Sequence, residues 1–469
     1  MAQSLPLVIG TSEAALAPAR SLQQPNVRAV VRRLVTVTFV AWFFFALWFV
    51  DRVGVRWLYF LARGRRDAYE RVTLPRAVRL AFERLGPTYV KLGQLVASGE
   101  ALFPPAFSTE FQRCLDRVPA FPFDDVKRML EAELGPDQLG RFARIEPSPI
   151  AAASIAQVHA ASLDDGRSVV VKVQRPGLTE LVSADVVLMR FIAKLSAWVS
   201  KRARQSHPVG IVDDFATNLT EELDFTHEAR RMRDFNRVMQ VMETTSVAAP
   251  EVVSELSSSR VLVMERFRGV SVADTEAVLS SGFDGPERLR TGIRAWFQCL
   301  LVADFFHGDV HGGNFMLLED GRVGFLDFGI VGVLPVERQA AVLEYVLAFQ
   351  TRDFQRLGGA MIALGAARAE VDRTRFARDL EELYAPLFDA EAGFRMASLV
   401  PNLMRLANRH ELALPRDLVL ISKQLVYLDR YSRALGGSKM NVLTDSGIRE
   451  LLMEDMLRAT LGRARFQGV

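Results

Sequence analysis

Hydrophobic and polar positions divide this chain into segments of different predicted structure. An uncharged apolar run covers Leu34–Val50, and between residues 77 and 135 apolar side chains recur at the three- and four-residue spacing of helices. From Ile145 short apolar stretches typical of strands take over, and after residue 327 the pattern is helical almost to the end. This order predicts an α+β fold whose β-rich part lies between two helical regions.

The changes of pattern also set the predicted domain boundaries. Long helices are expected over residues 178–200 and 213–242, as insertions in the β-rich region. The predicted parts are a disordered tail at 1–27, a membrane-associated apolar segment at 28–66, a helical extension at 67–144, a β-rich lobe with inserted helices at 145–266, a helical lobe at 267–445 and a C-terminal helix or tail at 446–469.

The apolar run at 34–50 is long enough to interact with a membrane. Its seventeen residues lie at the lower edge of what crosses a hydrocarbon core of about 30 Å, for which roughly twenty are typical. A buried core helix is the alternative, although five phenylalanines and two tryptophans on all faces would be unusual there. We expect membrane association and leave open whether the segment crosses the bilayer or lies on it. If it crosses, the arginines at 63, 65 and 66 favour a cytoplasmic C-terminal side.

The charge balance and the cysteines exclude some functions and compartments. The chain has 58 Lys and Arg against 55 Asp and Glu, and its net charge of +3 gives no support for nucleic-acid binding. Only seven of the basic residues are lysines, so a lysine at a chemically demanding position is a marked choice. Cys114 and Cys299 stand far apart without metal-ligand spacing, which indicates a reducing compartment and no disulfide framework.

Two short motifs carry the candidate chemistry. His-Gly-Asp-Val-His-Gly-Gly-Asn ends at Asn314, and Phe-Leu-Asp-Phe-Gly follows with its aspartate at 327. Asp309 and Asn314 are five positions apart, and Asn314 and Asp327 are thirteen, as in a kinase catalytic loop followed by its metal-binding Asp-Phe-Gly. We therefore predict Asp309 as the catalytic carboxylate, and Asn314 and Asp327 as ligands of Mg²⁺ bound to ATP.

Several related chemistries are disfavoured by the same region. His307 and His311 have the spacing of a helical metal pair, but the glycines around them argue against a helix and against zinc. No Ala-Pro-Glu and no Ser/Thr-rich activation segment follow Asp327, which argues against conventional phosphorylation of peptides. Walker-type and Rossmann fingerprints are missing as well.

A further group of candidates lies upstream, where a kinase would hold its phosphates. The strand Ser168–Val173 has three valines before Lys172, and a lysine at this point of a kinase contacts the α- and β-phosphates. The alternative is a strand-end lysine that faces water. A glycine-rich loop would cover the phosphates, but the turn at that place consists of Ala151, Ala152, Ala153 and Ser154. Alanine resists positive φ, so this loop approaches phosphate less closely than glycine does.

A kinase also needs a helix glutamate that orients the strand lysine. Glu222 and Asp224 are only two positions apart, so these two and Glu228 cannot all share one helical face. Glu228 is the predicted partner of Lys172, with a merely acidic helix surface as the alternative. The strand at 261–265 runs into a polar linker, as at a kinase hinge, and the predicted ATP-binding residues there are Met264, Glu265 and Phe267.

These motifs, taken in order, resemble those of the UbiB family of atypical kinase-like proteins. The matching stretches are Lys91-Leu-Gly-Gln94, Ala151-Ala-Ala-Ser154, Val171-Lys172, Glu222-Leu-Asp224 with Glu228, the loop from His307 to Asn314 and Asp327-Phe-Gly329. The resemblance runs from about Leu74 to Asn441. It implies a bilobal protein-kinase-like fold with a family-specific helical N-terminal extension and a largely helical C-lobe.

The resemblance implies roles that spacing alone does not explain. Lys91, Gly93 and Gln94 would belong to an N-terminal extension folded over the active site. Glu222 and Asp224 would form the acidic motif that meets this extension, with Lys91 paired with one of the two. Both assignments come from the family pattern.

The family is associated with ubiquinone and other isoprenoid quinones and behaves more as a lipid-linked ATPase than as a protein kinase. The resemblance therefore implies ATP and Mg²⁺ as cofactors, and membrane lipids, quinone precursors and quinone-biosynthesis enzymes as partners, with homodimerisation left open. The preference for Arg over Lys and the lack of a transit peptide favour a bacterial source, so we expect a bacterial inner membrane with the kinase-like domain in the cytoplasm. Many bacterial members carry membrane helices at the C-terminus, whereas here Leu451–Val469 is charged. A phosphotransferase for a small-molecule or protein acceptor, and a non-catalytic nucleotide-binding scaffold, stay open as alternatives.

Overall fold

The computed structural model describes most of the chain as two compact units. The described residues are 25–62, 70–98, 104–114, 119–201, 204, 207–303, 305–334, 336–367, 371–388, 398–413, 416–436, 442 and 445–455. The predicted tail up to residue 24, the arginines at 63, 65 and 66, and the C-terminus from 456 lie outside them. Among the described residues, the N-terminal unit contains those up to His227 together with Val253–Met264, and the C-terminal unit contains Glu228–Val252 and the chain from Glu265.

The N-terminal unit combines helices with one four-stranded sheet in its described residues. The helices are α1 Val27–Arg52, α2 Val55–Ala62, α3 Leu74–Leu85, α4 Pro87–Ser98, α5 Pro105–Phe111, α6 Phe123–Leu139, α7 Leu178–Val199 and α8 Pro208–Glu222. The strands are β1 Phe142–Ala152, β2 Ala156–Leu163, β3 Ser168–Gln174 and β5 Val261–Glu265, in the sheet order β1-β2-β3-β5. β2 pairs antiparallel with both β1 and β3.

The core of this unit lies between α6 and the sheet. Val126 and Leu130 of α6 pack against Val169, Val171 and Val173 of β3, and all five are buried. Alternate residues of a strand point to one face, which is why the valines at 169, 171 and 173 share this core. Val170 is buried on the other side, so the strand that carries Lys172 is covered on both faces, as its run of valines predicts.

α1 is fixed to the N-terminal unit by polar contacts at both ends. Near its start Arg33 makes a bidentate ion pair with buried Asp185 of α7 and donates to Leu85 O at the end of α3. At its end the buried carboxylate of Asp51 accepts from Val72 N, just before α3 begins. α3 therefore runs antiparallel along α1, back from the Asp51 end to the Arg33 end.

Within the described residues, α1 is the one helix long and apolar enough to cross a membrane by length and composition. The predicted run at 34–50 falls wholly inside it. Only 11% of its most apolar 18-residue window is buried, so its apolar side chains are mostly exposed.

The C-terminal unit is mainly helical and contains three small sheets in its described part. Its helices are α9 Phe225–Val241, whose first three residues belong to the N-terminal unit, α10 Thr275–Ser280, α11 Gly285–Val302, α12 Val336–Thr351, α13 Phe354–Leu364, α14 Arg373–Phe388, α15 Leu399–Arg409 and α16 Arg416–Gly436. Its strands are β4 Val247–Ala248, β6 Gly269–Ser271, β7 Phe305–His307, β8 Phe315–Leu318, β9 Val323–Phe325, β10 Val331–Val333, β11 Ala366–Ala367 and β12 Leu412–Ala413. One sheet has the order β4-β9-β8-β6, and the others pair β10 with β7 and β11 with β12.

The single helix predicted over residues 213–242 is wrong, because the chain breaks between α8 and α9. Asp224 caps α9, since its Oδ1 accepts from Thr226 N and from Thr226 Oγ1. An aspartate that bonds its own following backbone competes with helix continuation, and the pattern of apolar residues does not reveal this. The structure also groups Glu228–Val252 with the C-terminal unit, whereas the sequence-based boundary placed them in the β-rich lobe.

The ion pair that fixes α1 gives a testable prediction about stability. Asp185 is fully buried, and burial raises the pKa of its carboxyl although Arg33 opposes the shift. Arg33→Met leaves this carboxyl without its buried partner, so we expect the free energy of unfolding to fall by about 3–5 kcal/mol. Urea denaturation followed by circular dichroism measures this change. The double variant Arg33→Met/Asp185→Leu should regain most of the loss; a double variant no more stable than the single one contradicts the prediction.

Candidate active site

The predicted catalytic and metal residues of the C-terminal unit converge through backbone contacts. Asn314 Nδ2 donates to Asp309 O at 3.1 Å, and Leu326 N donates to Asn314 O at 2.8 Å. The first bond closes the catalytic loop on itself, and the second joins the loop to the residue before Asp327. The three residues predicted from spacing alone are therefore neighbours at the ends of β8 and β9.

His307 holds the same two segments together from the inside. Its buried imidazole donates from Nε2 to Leu326 O at 2.9 Å and accepts from Asp309 N through Nδ1 at 3.2 Å. These two partners fix one tautomer of the neutral ring. Burial lowers the pKa of His307, although the Leu326 carbonyl and the charges of Asp309 and Asp327 oppose that shift. His307 thus acts as a positioning residue and carries no charge that chemistry could use.

Asp327 adopts a left-handed backbone conformation, with φ of 53°. Aspartate tolerates this conformation better than most residues, and here its Oδ1 accepts from Gly329 N at 3.1 Å. Arg231 of α9 donates to the carbonyls of Phe328 and Gly329. The α9 helix, which also carries buried Glu228 in its first turn, therefore contacts the Asp-Phe-Gly segment directly.

An aromatic cluster packs the Asp-Phe-Gly segment onto its neighbours. The ring of Phe328 lies 5.2 Å from that of Phe235 on α9 and 4.7 Å from the imidazole of His307. Phe235 also packs against Phe325, with ring centroids 5.3 Å apart. Such aromatic pairs are favourable beyond the area they bury. Movement of α9 would therefore be transmitted to the residues that flank Asp327.

Helix α16 braces the catalytic loop from a distant part of the chain. Gln424 Oε1 accepts from Val310 N at 2.9 Å, and Tyr431 Oη accepts from Gly312 N at 2.5 Å. Burial is the main cause that raises the pKa values of Tyr427 and Tyr431, and the charge of Asp309 adds to both shifts. These groups therefore face the loop that presents Asp309.

The donor set around Asp309 fits Mg²⁺ held partly by phosphate. Among the described residues no cluster of three or more His, Cys, Asp or Glu side chains is placed to hold a metal. Mg²⁺, however, takes one or two protein oxygens and completes its shell with water and phosphate oxygens. The bond to Asp309 O uses Asn314 Nδ2 and not the amide oxygen. Asn314 and Asp327 would therefore supply oxygen ligands of the kind that Mg²⁺ prefers.

The predicted hinge residues follow one another along β5 and the linker after it. Glu265 N donates to Glu251 O at 2.8 Å, and its carboxylate accepts from Arg322 at 2.8 Å. Phe267 packs against Gly324, where a Cβ would approach the ring to 2.7 Å, so this close packing requires glycine. The N–H of Glu265 is thus already engaged, and an adenine contact by Glu265 would use its carbonyl. Met264 ends the N-terminal unit and is buried.

In the N-terminal unit the candidates gather around the turn between α8 and α9. Lys172 Nζ lies over the ring of Phe225, 5.3 Å from its centroid. Two residues along β3, Gln174 Nε2 donates to Leu223 O at 2.7 Å. The strand that carries Lys172 is therefore attached to the acidic motif Glu222-Leu-Asp224 by two different contacts.

The Lys-x-Gly-Gln motif on α4 contacts the same turn. Lys91 Nζ donates to Glu222 Oε1, and both side chains are mostly buried. Asp224 instead caps α9. Gly93 allows α4 to lie close to α5, because a Cβ would stand 2.8 Å from the Phe111 ring. Gln94 is partly exposed on α4.

The alanine turn connects β1 and β2, and Arg175 donates hydrogen bonds to its carbonyl oxygens. Ala152 pairs with Gln157, and Ala153 N donates to Ala156 O at 2.8 Å. Arg175 donates from Nε to Ala153 O at 3.2 Å and from its backbone N to Ile155 O at 2.9 Å. Ala151, Ala152, Ala153 and Ser154 have no positive φ, as expected for residues that carry a Cβ, and Ser154 is fully buried.

The kinase-like arrangement agrees with the comparisons to known proteins. A family model described as the ABC1 atypical kinase-like domain matches residues 113–361. A probable protein kinase UbiB of Aliivibrio fischeri is 31% identical over 391 residues, which are 82% of this chain and 70% of that protein. The chain belongs to the UbiB family. An uncharacterised chloroplastic aarF domain-containing protein kinase of Arabidopsis thaliana is 36% identical over 400 residues, 80% of this chain and 74% of the relative.

A solved structure supports the same fold. A Mycobacterium tuberculosis protein in complex with erythromycin is 25% identical, with a TM-score of 0.52, and the match covers 86% of this chain and 97% of that one. The predicted α+β kinase-like fold with its helical N-terminal extension is thereby confirmed.

Sequence reasoning missed the residues that position the UbiB-type motifs. Gln424, Tyr431 and Arg175 contact the catalytic loop or the alanine turn from outside the motifs. Buried polar residues within apolar stretches were the available signal, since a buried amide or hydroxyl needs a partner. Gln424 stands in the apolar run of α16 and is fully buried, but nothing in the sequence names its partner.

His307 supplies the prediction from this site. In His307→Gln the acceptor for Asp309 N is lost, so we expect about 1–3 kcal/mol lower stability at pH 7. Burial lowers the pKa of His307 in the folded state below the ordinary histidine value of about 6.5. The contribution of the neutral ring to the free energy of unfolding is therefore fully present above that ordinary value and is lost as the pH falls below it. The gap between wild type and variant should therefore narrow towards pH 5. Denaturant unfolding at both pH values tests this.

A second buried histidine, His159, also contributes to the pH dependence of wild-type stability. Its burial also lowers its pKa, so the wild-type acid slope contains a second contribution of the same sign. The difference between wild type and variant is therefore the informative quantity, and a difference that stays constant with pH contradicts the role assigned to His307.

Proposed function

We propose that this UbiB-family chain is a membrane-associated, Mg²⁺-dependent ATPase that supports isoprenoid-quinone lipid biosynthesis or homeostasis. The observation that supports it best is the linked arrangement of Asp309, Asn314 and Asp327, tied by Asn314 Nδ2 and by both nitrogens of His307. A chain that needed only to bind a partner would gain nothing from a carboxylate and two metal-type ligands at this spacing.

The proposed reaction is hydrolysis of the terminal phosphate. Asp309 would orient a water molecule and take its proton as the water oxygen bonds to the γ-phosphorus. The bond from the γ-phosphorus to the bridging oxygen breaks, and ADP leaves with the electron pair. Bound Mg²⁺ would neutralise the β- and γ-phosphate charge. Asn314 and Asp327 would hold that ion, while Lys172, oriented by Glu228, would contact the α- and β-phosphates.

The remaining predicted residues would bind the nucleotide. Met264, Glu265 and Phe267 would contact adenine, with Glu265 using its carbonyl because its N–H is bonded to Glu251 O. The turn Ala151–Ser154 would lie near the phosphates. The hydrogen bond from Arg175 to Ala153 O and the Cβ atoms of the alanines make this turn stiffer than a glycine-rich loop. A stiff turn favours a fixed position of the phosphates over movement with a peptide acceptor.

The lipid part of the proposal is supported by the UbiB name of the relatives and by α1. Family-level association with quinone biosynthesis suggests quinone precursors as the hydrophobic client and quinone-biosynthesis enzymes as partners. The exposed apolar face of α1 supports attachment to a membrane. We place the chain at a bacterial inner membrane, with the kinase-like domain in the cytoplasm.

An ATP hydrolysis assay on the pure full chain with Mg²⁺ and a phenolic lipid tests the enzymatic part. Asp309→Asn and Asp327→Asn should each lower turnover by at least about 100-fold, because they remove the group that takes the proton or a metal ligand. Asp137→Asn makes the same change at an exposed carboxylate of α6 and should keep wild-type turnover.

Three outcomes would contradict or redirect the proposal. Turnover unaffected by Asp327→Asn contradicts the mechanism. Radiolabel from the γ-phosphate found on a small molecule or protein instead of inorganic phosphate would favour the phosphotransferase alternative. Nucleotide-induced thermal stabilisation without turnover above the Asp309→Asn background would favour a scaffold.

Lipidomics on a deletion strain tests the pathway separately. We expect a quinone precursor to accumulate and the mature quinone to fall, and complementation with wild type but not with Asp327→Asn should restore both. An unchanged quinone profile contradicts the quinone role and points to broader lipid homeostasis.

A further inference from the structure

The N-terminal unit exposes a second apolar helix face beside α1. Val187, Phe191, Leu195 and Trp198 of α7 follow one another at helix spacing, and Phe191 and Trp198 are 63% and 77% exposed. Ile192 and Val199 widen this stripe. Most of the first half of α7 is buried, so the exposed apolar stripe begins at Val187 and lies mainly in the second half of the helix. α7 packs on α1, and Arg33 is bonded to Asp185, so the two exposed apolar helix surfaces belong to one packed pair of helices.

α1 divides its side chains between the protein and the surroundings. One stripe is turned to the protein at alternating spacings of three and four: residues 30, 33, 37, 40, 44, 47 and 51. Phe39, Trp42 and Phe49, which lie outside this stripe, are more than half exposed. A helix that is apolar on all faces needs cover on all of them, and the protein covers only one.

The distribution of tryptophans and of charges indicates that a lipid bilayer covers the exposed faces of α1. Four of the five tryptophans lie on α1, α2 and α7, at positions 42, 48, 57 and 198, whereas Trp296 is buried in the C-terminal unit. Tryptophan is enriched at the boundary of a bilayer. Between Asp185 and Asp213 the sequence has five basic residues and no acidic one. Basic residues beside an apolar helix face suit anionic headgroups.

The contacts of α1 decide how it meets the membrane. Arg33 and Asp51 are 18 positions apart, about 27 Å along a helix, which is nearly the thickness of the hydrocarbon core of about 30 Å. Both are bonded to the same folded unit. If α1 crossed the bilayer, α3 beside it would enter the hydrocarbon too, with the ion pairs of Arg79 to Glu83 and Glu110. Charged groups there are strongly unfavourable.

We propose that α1 and the outer face of α7 form one monotopic surface that lies in the headgroup boundary of an anionic bilayer without crossing it. This surface deepens the membrane association proposed above and rests on it. Its apolar side chains enter the outer acyl region, and Lys194, Lys201 and Arg204 contact the headgroups. α3 and the rest of the N-terminal unit stay on the aqueous side.

Vesicle flotation of the full chain tests the α7 contribution. We expect binding to phosphatidylcholine vesicles that contain phosphatidylglycerol and weaker binding to phosphatidylcholine alone. Phe191→Glu/Trp198→Glu should lower the bound fraction roughly tenfold, since two apolar side chains at the acyl boundary become carboxylates. Leu279→Glu is the matched control, because Leu279 is 69% exposed on α10 of the C-terminal unit, and it should bind as wild type does. Thermal unfolding checks that all variants are folded.

Cysteine labelling in intact spheroplasts tests the mode of attachment. Arg28→Cys and Val53→Cys, each placed separately in a Cys114→Ser background, mark the two ends of α1, and the remaining Cys299 is buried. We expect an impermeant maleimide added outside to label neither end until the cells are lysed. Labelling of one end in intact cells would show a crossing helix and overturn the monotopic surface.

The outcomes separate this proposal from the one it rests on. If the wild-type chain binds none of the vesicles, both the proposed membrane association and the proposed monotopic surface are contradicted. If the wild type binds vesicles and Phe191→Glu/Trp198→Glu binds them equally well, only the role of the α7 face is contradicted. If that variant instead converts a dimer to a monomer without loss of vesicle binding, a second copy of the chain covers α7 and the proposal is overturned. None of these readouts depends on ATP turnover.

Discussion

The imidazole of His307 is the contact on which the candidate catalytic arrangement depends. One ring nitrogen bonds Leu326 O and the other accepts from Asp309 N, so a single rigid side chain sets the separation between the catalytic loop and the strand that leads to Asp327. A buried ring can do this only while it is neutral, because a charged imidazolium would have no acceptor for its second N–H. The stability of this region and its protonation state are therefore linked.

In the N-terminal unit, a turn and not an aromatic ring connects the candidate residues. The residues Glu222–Phe225 meet two separate elements: α4 through Lys91, and β3 through both Lys172 and Gln174. Displacement of α4 would act on the same turn that contacts the strand lysine. The family-specific motif and the kinase-like lysine are thus mechanically connected, although they lie about 80 positions apart in sequence.

The parts of the fold that sequence could predict are those encoded by local pattern. The apolar run inside α1, the valine strand before Lys172 and the spacing of Asp309, Asn314 and Asp327 are all readable within a few tens of residues. Gln424 and Tyr431 could not be found this way, because their partners lie more than 110 positions upstream and one glutamine in a helix has no periodic signature. The break between α8 and α9 was missed for a related reason, since Asp224 fits an acidic helix face as well as a cap.

The case of α1 shows how tertiary contacts alter the meaning of an apolar pattern. Arg33 and Asp51 flank the run and look from sequence like the polar ends of a membrane-crossing helix. In the structure each is bonded to the folded unit, and Asp185, the partner of Arg33, is completely buried. A helix that crosses a bilayer needs its polar ends in water on opposite sides, whereas these ends share one protein surface. Length and hydropathy therefore specify that α1 needs an apolar environment, and the ion pair and the Asp51 contact decide its orientation to that environment.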